Sequence, residues 1–132
     1  FIKGFTFTEL QKAYEKLWAS EYSRIYGDTF TVAQESVEGI GNNVSLEFED
    51  MDFLDKGFEQ ITICGRSKLP VNSIHIRFFY EDREPVNQLV EFPHSEEYTE
   101  RTFPLESCKG KCRIGFIFLP GCDFDFKWFQ FS

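Results

Sequence analysis

Histidine is nearly absent from this 132-residue chain, with only His75 and His94 present. His75 lies on the polar side of an alternating segment and His94 follows Pro93 in a turn, so neither has a nucleophile in a recognisable setting for Ser-His-Asp catalysis. A glycine-rich phosphate loop and an HExxH pair are also missing. No apolar run approaches the ~20 residues that a membrane-spanning helix needs. The opening FIKGFTF has neither a Met nor the charged-then-apolar layout of a signal peptide, which leads to the expectation of a piece of a longer protein that sets its compartment. Basic residues are few: 14 Lys and Arg face 22 Asp and Glu, for a net charge of −8. A phosphate backbone or an anionic membrane surface would be repelled, so neither nucleic acid nor membrane is an expected partner.

Cysteine is limited to Cys64, Cys108, Cys112 and Cys122. The spacing Cys108-Lys-Gly-Lys-Cys112 is wider than a CxxC pair, and no second pair or neighbouring histidine completes a zinc site. The two could face each other across a Lys-Gly-Lys turn and bridge in an oxidising setting; the favoured alternative is free thiols in strands. Without a disulfide framework, the compartment leans towards the cytoplasm.

What the chain does have is aromatic mass: 17 Phe, 5 Tyr and 2 Trp. Such a load excludes disorder, and the length suits one domain with an ordinary hydrophobic core. Thr8 to Trp18 reads as a helix, with Thr8 and Gln11 as a capping box and Leu10, Ala13, Tyr14, Leu17 and Trp18 on one face. After Gly27 the period changes to two. Val44, Leu46 and Phe48 alternate with polar residues, as do Ile74, Ile76 and Phe78. Further strands are expected over Thr29 to Ala33, Gln60 to Cys64, Val86 to Phe92, Tyr98 to Leu105, Cys112 to Phe118 and Phe124 to Phe131. Eight short strands without intervening helices predict an all-β, two-sheet antiparallel sandwich, with Ile61, Ile63, Ile74, Ile76, Phe78, Ile114 and Phe116 inward. In the last strand the apolar phase slips from 124, 126 and 128 to 129 and 131, which predicts a bulge near Trp128.

No constellation for acid-base or nucleophilic catalysis emerges, and charge runs such as Glu47-Phe-Glu-Asp-Met-Asp52 read as solvated faces. The terminal Asp123-Phe-Asp-Phe-Lys-Trp-Phe-Gln-Phe131 combines rings and carboxylates, which are the ingredients of sugar recognition and equally of a core strand.

The order Trp18-Ala-Ser-Glu-Tyr22, Gly39-Ile-Gly-Asn-Asn-Val-Ser-Leu46, Gln60-Ile-Thr-Ile-Cys64, Ser73-Ile-His-Ile-Arg77, Tyr98 to Leu105, Ile114 to Gly121 and Phe126-Lys-Trp-Phe-Gln-Phe131 resembles carbohydrate-binding module family 6. Lys12 to Trp18 and Ile25-Tyr-Gly-Asp28 look most like the C-terminal appended domain of bacterial glycoside hydrolase family 2 β-galactosidases. The resemblance implies a jelly-roll β-sandwich of the galactose-binding-domain-like kind over residues 17–132, preceded by a helical extension or linker over 1–16. It implies a non-catalytic accessory domain that binds galactose-containing glycans and accompanies the parent enzyme's catalytic domains. A structural docking or oligomerisation domain is the alternative. The family's calcium-ligand places fall on Ser20 and Lys127, a pair that disfavours calcium. No cofactor is therefore expected, and the Lys127 ammonium would stand in for the ion, surrounded by Glu21, Asp125 or backbone carbonyls. The places of the two sugar-gripping rings fall on Val44 and near Ser95, neither aromatic. That leaves Asn42, Asn43, Tyr98, Asp123 and Phe124 as the candidate carbohydrate-binding residues. Each also has an ordinary role: Tyr98 and Phe124 as core, Asn42 and Asn43 as turn formers, Asp123 as a solvated acid.

Overall fold

The computed structural model describes residues 12–132. Nine strands follow one another: β1 Leu17–Trp18, β2 Arg24–Tyr26, β3 Thr31–Val32, β4 Val37–Ile40, β5 Val44–Asp52, β6 Gln60–Phe79, β7 Val86–Pro104, β8 Lys111–Phe118 and β9 Phe124–Phe131. Every pairing is antiparallel. The path β2-β5-β8-β6-β9-β4-β3 closes into a sandwich because β6 serves both layers. Its first part, Ile61–Arg66, pairs with β9, and its second part, Ile74–Phe79, pairs with β8. Strand β7 runs beside β6 through both parts. The layers are thus a β5–β8 sheet and a β4–β9 sheet, joined where the register of β6 shifts between Gly65 and Val71. The result is an antiparallel jelly roll.

All seven residues expected to point inward are buried, at 0 or 1% exposure. Between the layers runs a chain of rings in which Phe53, Phe58, Phe78 and Phe131 fill one end, Phe48, Phe116 and Phe129 the middle, and Phe118, Phe124, Phe126 and Phe92 the other. Each fully buried ring contributes about 1.5–3 kcal/mol through removal from water. Edge-on pairs such as Phe48 on Phe116, at 5.8 Å and 90°, add to this. Gly65 is where β6 passes over this core. A Cβ there would overlap the Phe124 ring and lie 2.9 Å from the Asp125 carbonyl oxygen, so only glycine lets the two strands approach.

The expected slip in the last strand is present one residue earlier than its centre at Trp128. Cys64 pairs with Trp128 while Gly65 pairs with Phe126, which leaves Lys127 as the extra residue of a bulge. The bulge turns Trp128 outward and Phe129 inward.

The helix expected over Thr8 to Trp18 is not formed in its described part, and residues 8–11 lie outside the described residues. Lys12–Tyr14 make one 3-10 turn, after which Leu17 and Trp18 pair with Phe129 and Trp128 as a short strand. Strand pairing and the Glu21 carboxylate, which accepts the Trp18 N–H, hold this stretch extended and still bury Leu17, so tertiary contacts override the helical spacing. Ala13 joins the core, and the Tyr14 hydroxyl donates to the carbonyls of Phe53 and Gly57, the latter at 3.0 Å.

Candidate functional site

Three loops meet at the end of the sandwich where Phe124 and Phe92 close the core. The turn after β4 carries Asn42 and Asn43, the turn after β8 carries Gly121 to Asp123, and the bend of β6 carries Ser67 to Asn72. Side chains tie them together. Asn42 Oδ1 accepts the Gly121 N–H at 2.7 Å, Asn72 Oδ1 accepts the Asp123 N–H at 3.0 Å, and Ser67 Oγ donates to the Asp123 carbonyl at 2.5 Å. Asn72 is 1% exposed, which puts this polar tie inside the fold.

Beside these loops lies an open cleft of about 350 Å³, lined by Arg66, Ser67, Lys68, Ser95, Glu96, Asp123 and Asp125. Its wall is stiff. Arg66 Nε donates to Asp125 Oδ2 at 2.6 Å, while Asp125 Oδ1 accepts the Gly39 N–H at 2.8 Å. The Asp125 bond holds the Arg66 guanidinium above its ordinary pKa. Arg66 also lies over the Tyr98 ring at 4.3 Å and within 3.7 Å of Glu38. The Tyr98 hydroxyl donates to Glu38 Oε2 at 2.8 Å. Burial pushes the Tyr98 hydroxyl up to about 12; Glu38 adds to the rise, while Ser36 and Arg66 oppose it.

The five sequence-derived candidates take different places. Asp123 lines the cleft with an exposed side chain. Asn42 is a loop fastener, and Asn43 holds the left-handed turn at φ 60°. Phe124 is fully buried against Phe92, Phe118 and Phe126, so it supports the cleft from beneath and presents no surface to a ligand. Tyr98 stands on the outer face of the β4–β9 sheet with its ring covered by Arg66, and Lys127 Nζ lies 5.3 Å from the same ring. Val44 is fully buried, so the place assigned to the first gripping ring is closed as well as non-aromatic, whereas Ser95, 9% exposed, lines the cleft without a ring. Arg66, Lys68, Glu96 and Asp125 complete the cleft, and none was a sequence candidate for carbohydrate binding. They come from three distant segments, and no local spacing connects them.

The cage expected around Lys127 is not formed. Asp125 is held by Arg66 and Gly39, Glu21 Oε1 accepts the Trp18 N–H at 2.9 Å, and Ser20 Oγ donates to the Gln34 carbonyl at 3.0 Å. The residues present do not fit a calcium ion there: among the described residues no three His, Cys, Asp or Glu converge. All four cysteines are free and buried. Burial drives the rise in each thiol pKa, with Cys112 pushed up to about 12.

No protein-family model and no curated protein matches the sequence. Solved structures do. The sandwich is similar to a family 6 carbohydrate-binding module from Clostridium stercorarium in complex with cellobiose, with a TM-score of 0.78 and 18% identity over 91% of this chain and 94% of that one. A family 6 module from Clostridium cellulolyticum in complex with xylose gives 0.76 and 22% over 91% and 98%. A β-1,3-glucan binding family 6 module from Bacillus halodurans gives 0.74 and 18% over 91% and 96%. At such identities the likeness establishes the fold: this chain has the jelly-roll sandwich that family 6 carbohydrate-binding modules have.

Proposed function

We propose that this domain is a non-catalytic carbohydrate-binding module that recognises galactose-containing glycans and belongs to a bacterial β-galactosidase of glycoside hydrolase family 2, whose catalytic domains it accompanies. The observation that carries the binding part is the near end-to-end likeness to modules solved with cellobiose and with xylose. The galactose preference and the parent enzyme rest on the sequence resemblance alone. In this reading the ligand enters the cleft beside the three loops. Asp123 supplies hydroxyl acceptors, Asn42 ties down the loop that carries Asp123, Asn43 shapes the turn beside it, Phe124 supports the floor and Tyr98 backs the Arg66 wall. Calorimetry with galactose and lactose tests it. Saturable binding that Asp123→Ala abolishes supports the proposal, and no heat with either sugar at tens of millimolar overturns it. The same sample should not hydrolyse a chromogenic galactoside, and turnover abolished by one carboxylate substitution would refute the non-catalytic assignment.

A second reading, docking on the parent enzyme or on a second copy, has its own observation. Across the outer face of the β5–β8 sheet, Tyr26, Ser45, Ile117, His75 and Leu89 stand in one register row. Tyr26 is 47% and Leu89 51% exposed, which leaves apolar surface on this outer face, separate from the cleft lining.

A further inference from the structure

Most polar atoms of the cleft are already engaged by the protein. Both Asp125 oxygens are taken by Arg66 and Gly39, and the Arg66 guanidinium by Asp125, Glu38 and the Tyr98 ring. Ser67 Oγ bonds the Asp123 carbonyl and accepts the Leu69 N–H, while Ser95 Oγ bonds the Glu97 carbonyl and Thr99. Three charged groups remain: the Lys68 ammonium and the carboxylates of Glu96 and Asp123, all on exposed residues and without a side-chain partner among the described residues. The cleft lining contains no aromatic ring. Its volume is at the small end of the ~300–1,000 Å³ usual for ligand pockets.

Resting on the carbohydrate-binding reading above, we infer that this cleft sorts sugars by charge: it accepts neutral rings and favours amino sugars, and it refuses uronic acids and sulfated sugars. Without a ring to stack on, a sugar is held by hydrogen bonds from its hydroxyls to charged groups, which are the stronger kind. Two free carboxylates against one free ammonium make the local field negative. The Debye length is about 8 Å at physiological ionic strength, so groups within the cleft act on a bound sugar while the more distant charges that make up the rest of the chain's −8 are largely screened. A protonated amine on the ring gains a carboxylate partner from Asp123 or Glu96. A ring carboxylate has only Lys68 to meet and two like charges beside it.

The test titrates the 132-residue chain with galactose, galactosamine and galacturonic acid, and then with glucose, glucosamine and glucuronic acid. It is run at about pH 6, where the sugar amine is protonated, at low salt and again at high salt, and followed by calorimetry and by amide shifts. The expected result is about three-fold tighter binding of the amino sugar than of the neutral one at low salt, shrinking at high salt, with no saturable binding of the acids. Shifts should centre on Ser67, Lys68 and Gly121 to Asp125. Asp123→Asn should remove most of the amino-sugar advantage. Acids that bind as well as neutral sugars, or amino sugars with no advantage at low salt, overturn charge sorting and leave sugar binding standing. If none of the six sugars binds at either salt, the carbohydrate-binding reading itself fails and charge sorting with it.

Discussion

The two outer faces of the sandwich are built from the same alternating strands, yet they spend their polar groups differently. On the β4–β9 sheet, Glu38, Arg66, Tyr98 and Asp125 form one connected network across four strands. Lys16 lies over both Trp18 and Trp128, at 5.3 and 4.3 Å from the ring centroids. On the β5–β8 sheet the polar contacts are pairs, Arg24 with Glu49, Arg113 with Glu47 and Arg77 with Asn87, and the last two meet only through the Phe79 ring, which Arg113 and Arg77 approach at 4.2 and 5.8 Å. Beside them, towards the loop end, the row from Tyr26 to Leu89 leaves apolar surface at its two ends. One face has satisfied itself and offers a partner little, whereas the other keeps apolar surface that a partner could cover. The cleft lies at the border of the satisfied face, which is why so few of its polar groups remain free.

The largest effect should come from the core that both faces share. Phe129 belongs to the β4–β9 sheet but packs on Phe48 and Phe116 of the other, so Phe129→Ala should cost about 3–5 kcal/mol in urea unfolding. A loss below about 1 kcal/mol would mean that the layers are not coupled through these rings. Next, Arg66→Ala should cost about 1–2 kcal/mol, a range already reduced because its side chain is 37% exposed. Arg77→Ala on the other face should stay within about 0.5 kcal/mol. Equal losses would erase the contrast between network and pairs.

Alkaline pH should sharpen the same contrast. The fold raises the Tyr98 pKa from 10.0 to about 12, so the unfolded chain releases this proton first. The Tyr98 contribution is complete below pH 10 and is lost as pH rises towards 12. Tyr98→Phe should therefore flatten part of the stability loss between those values. Cys112, raised from 9.0 to about 12 by burial, should add its own decline from pH 9. A Tyr98→Phe variant that loses stability in parallel with the parent chain over this window would show that burial in the fold does not raise the pKa of the Tyr98 hydroxyl. The smallest effect is expected from Leu89→Ser, within about 0.5 kcal/mol, because the side chain is already half in water. A clear loss in the isolated chain would mean that this edge is part of the fold and not a surface kept for something else.

The strands with one buried face were legible because a period of two survives any loop arrangement, and all seven of the named inward residues obey it. The joining of those strands was not. Pro70 and Pro93 punctuate the sequence, so β6 and β7 each read as two short strands, whereas the structure carries both through with a shift of register. Val37–Ile40 was missed because it is short and contains Gly39 at a φ of 63°. The Lys12 to Trp18 stretch misled because apolar spacings of three and four suit a helix as well as a turn followed by a strand. Within the site, Asp123 was visible as a loop acid next to the aromatic strand. Arg66, Lys68 and Glu96 were not, because each is an ordinary surface charge until the fold brings β6, β7 and the last loop together.

Strand β6, paired to β9 along one half and to β8 along the other, has a consequence for how the molecule opens. Neither sheet can lose β6 while the other keeps it, so the sandwich has no cheap route to partial unfolding through this shared strand. Backbone amides of Ile61 to Cys64 and Ile74 to Phe78 should therefore exchange with deuterated solvent only through global unfolding, at one common rate, while those of the short strands β2 and β3 exchange much sooner.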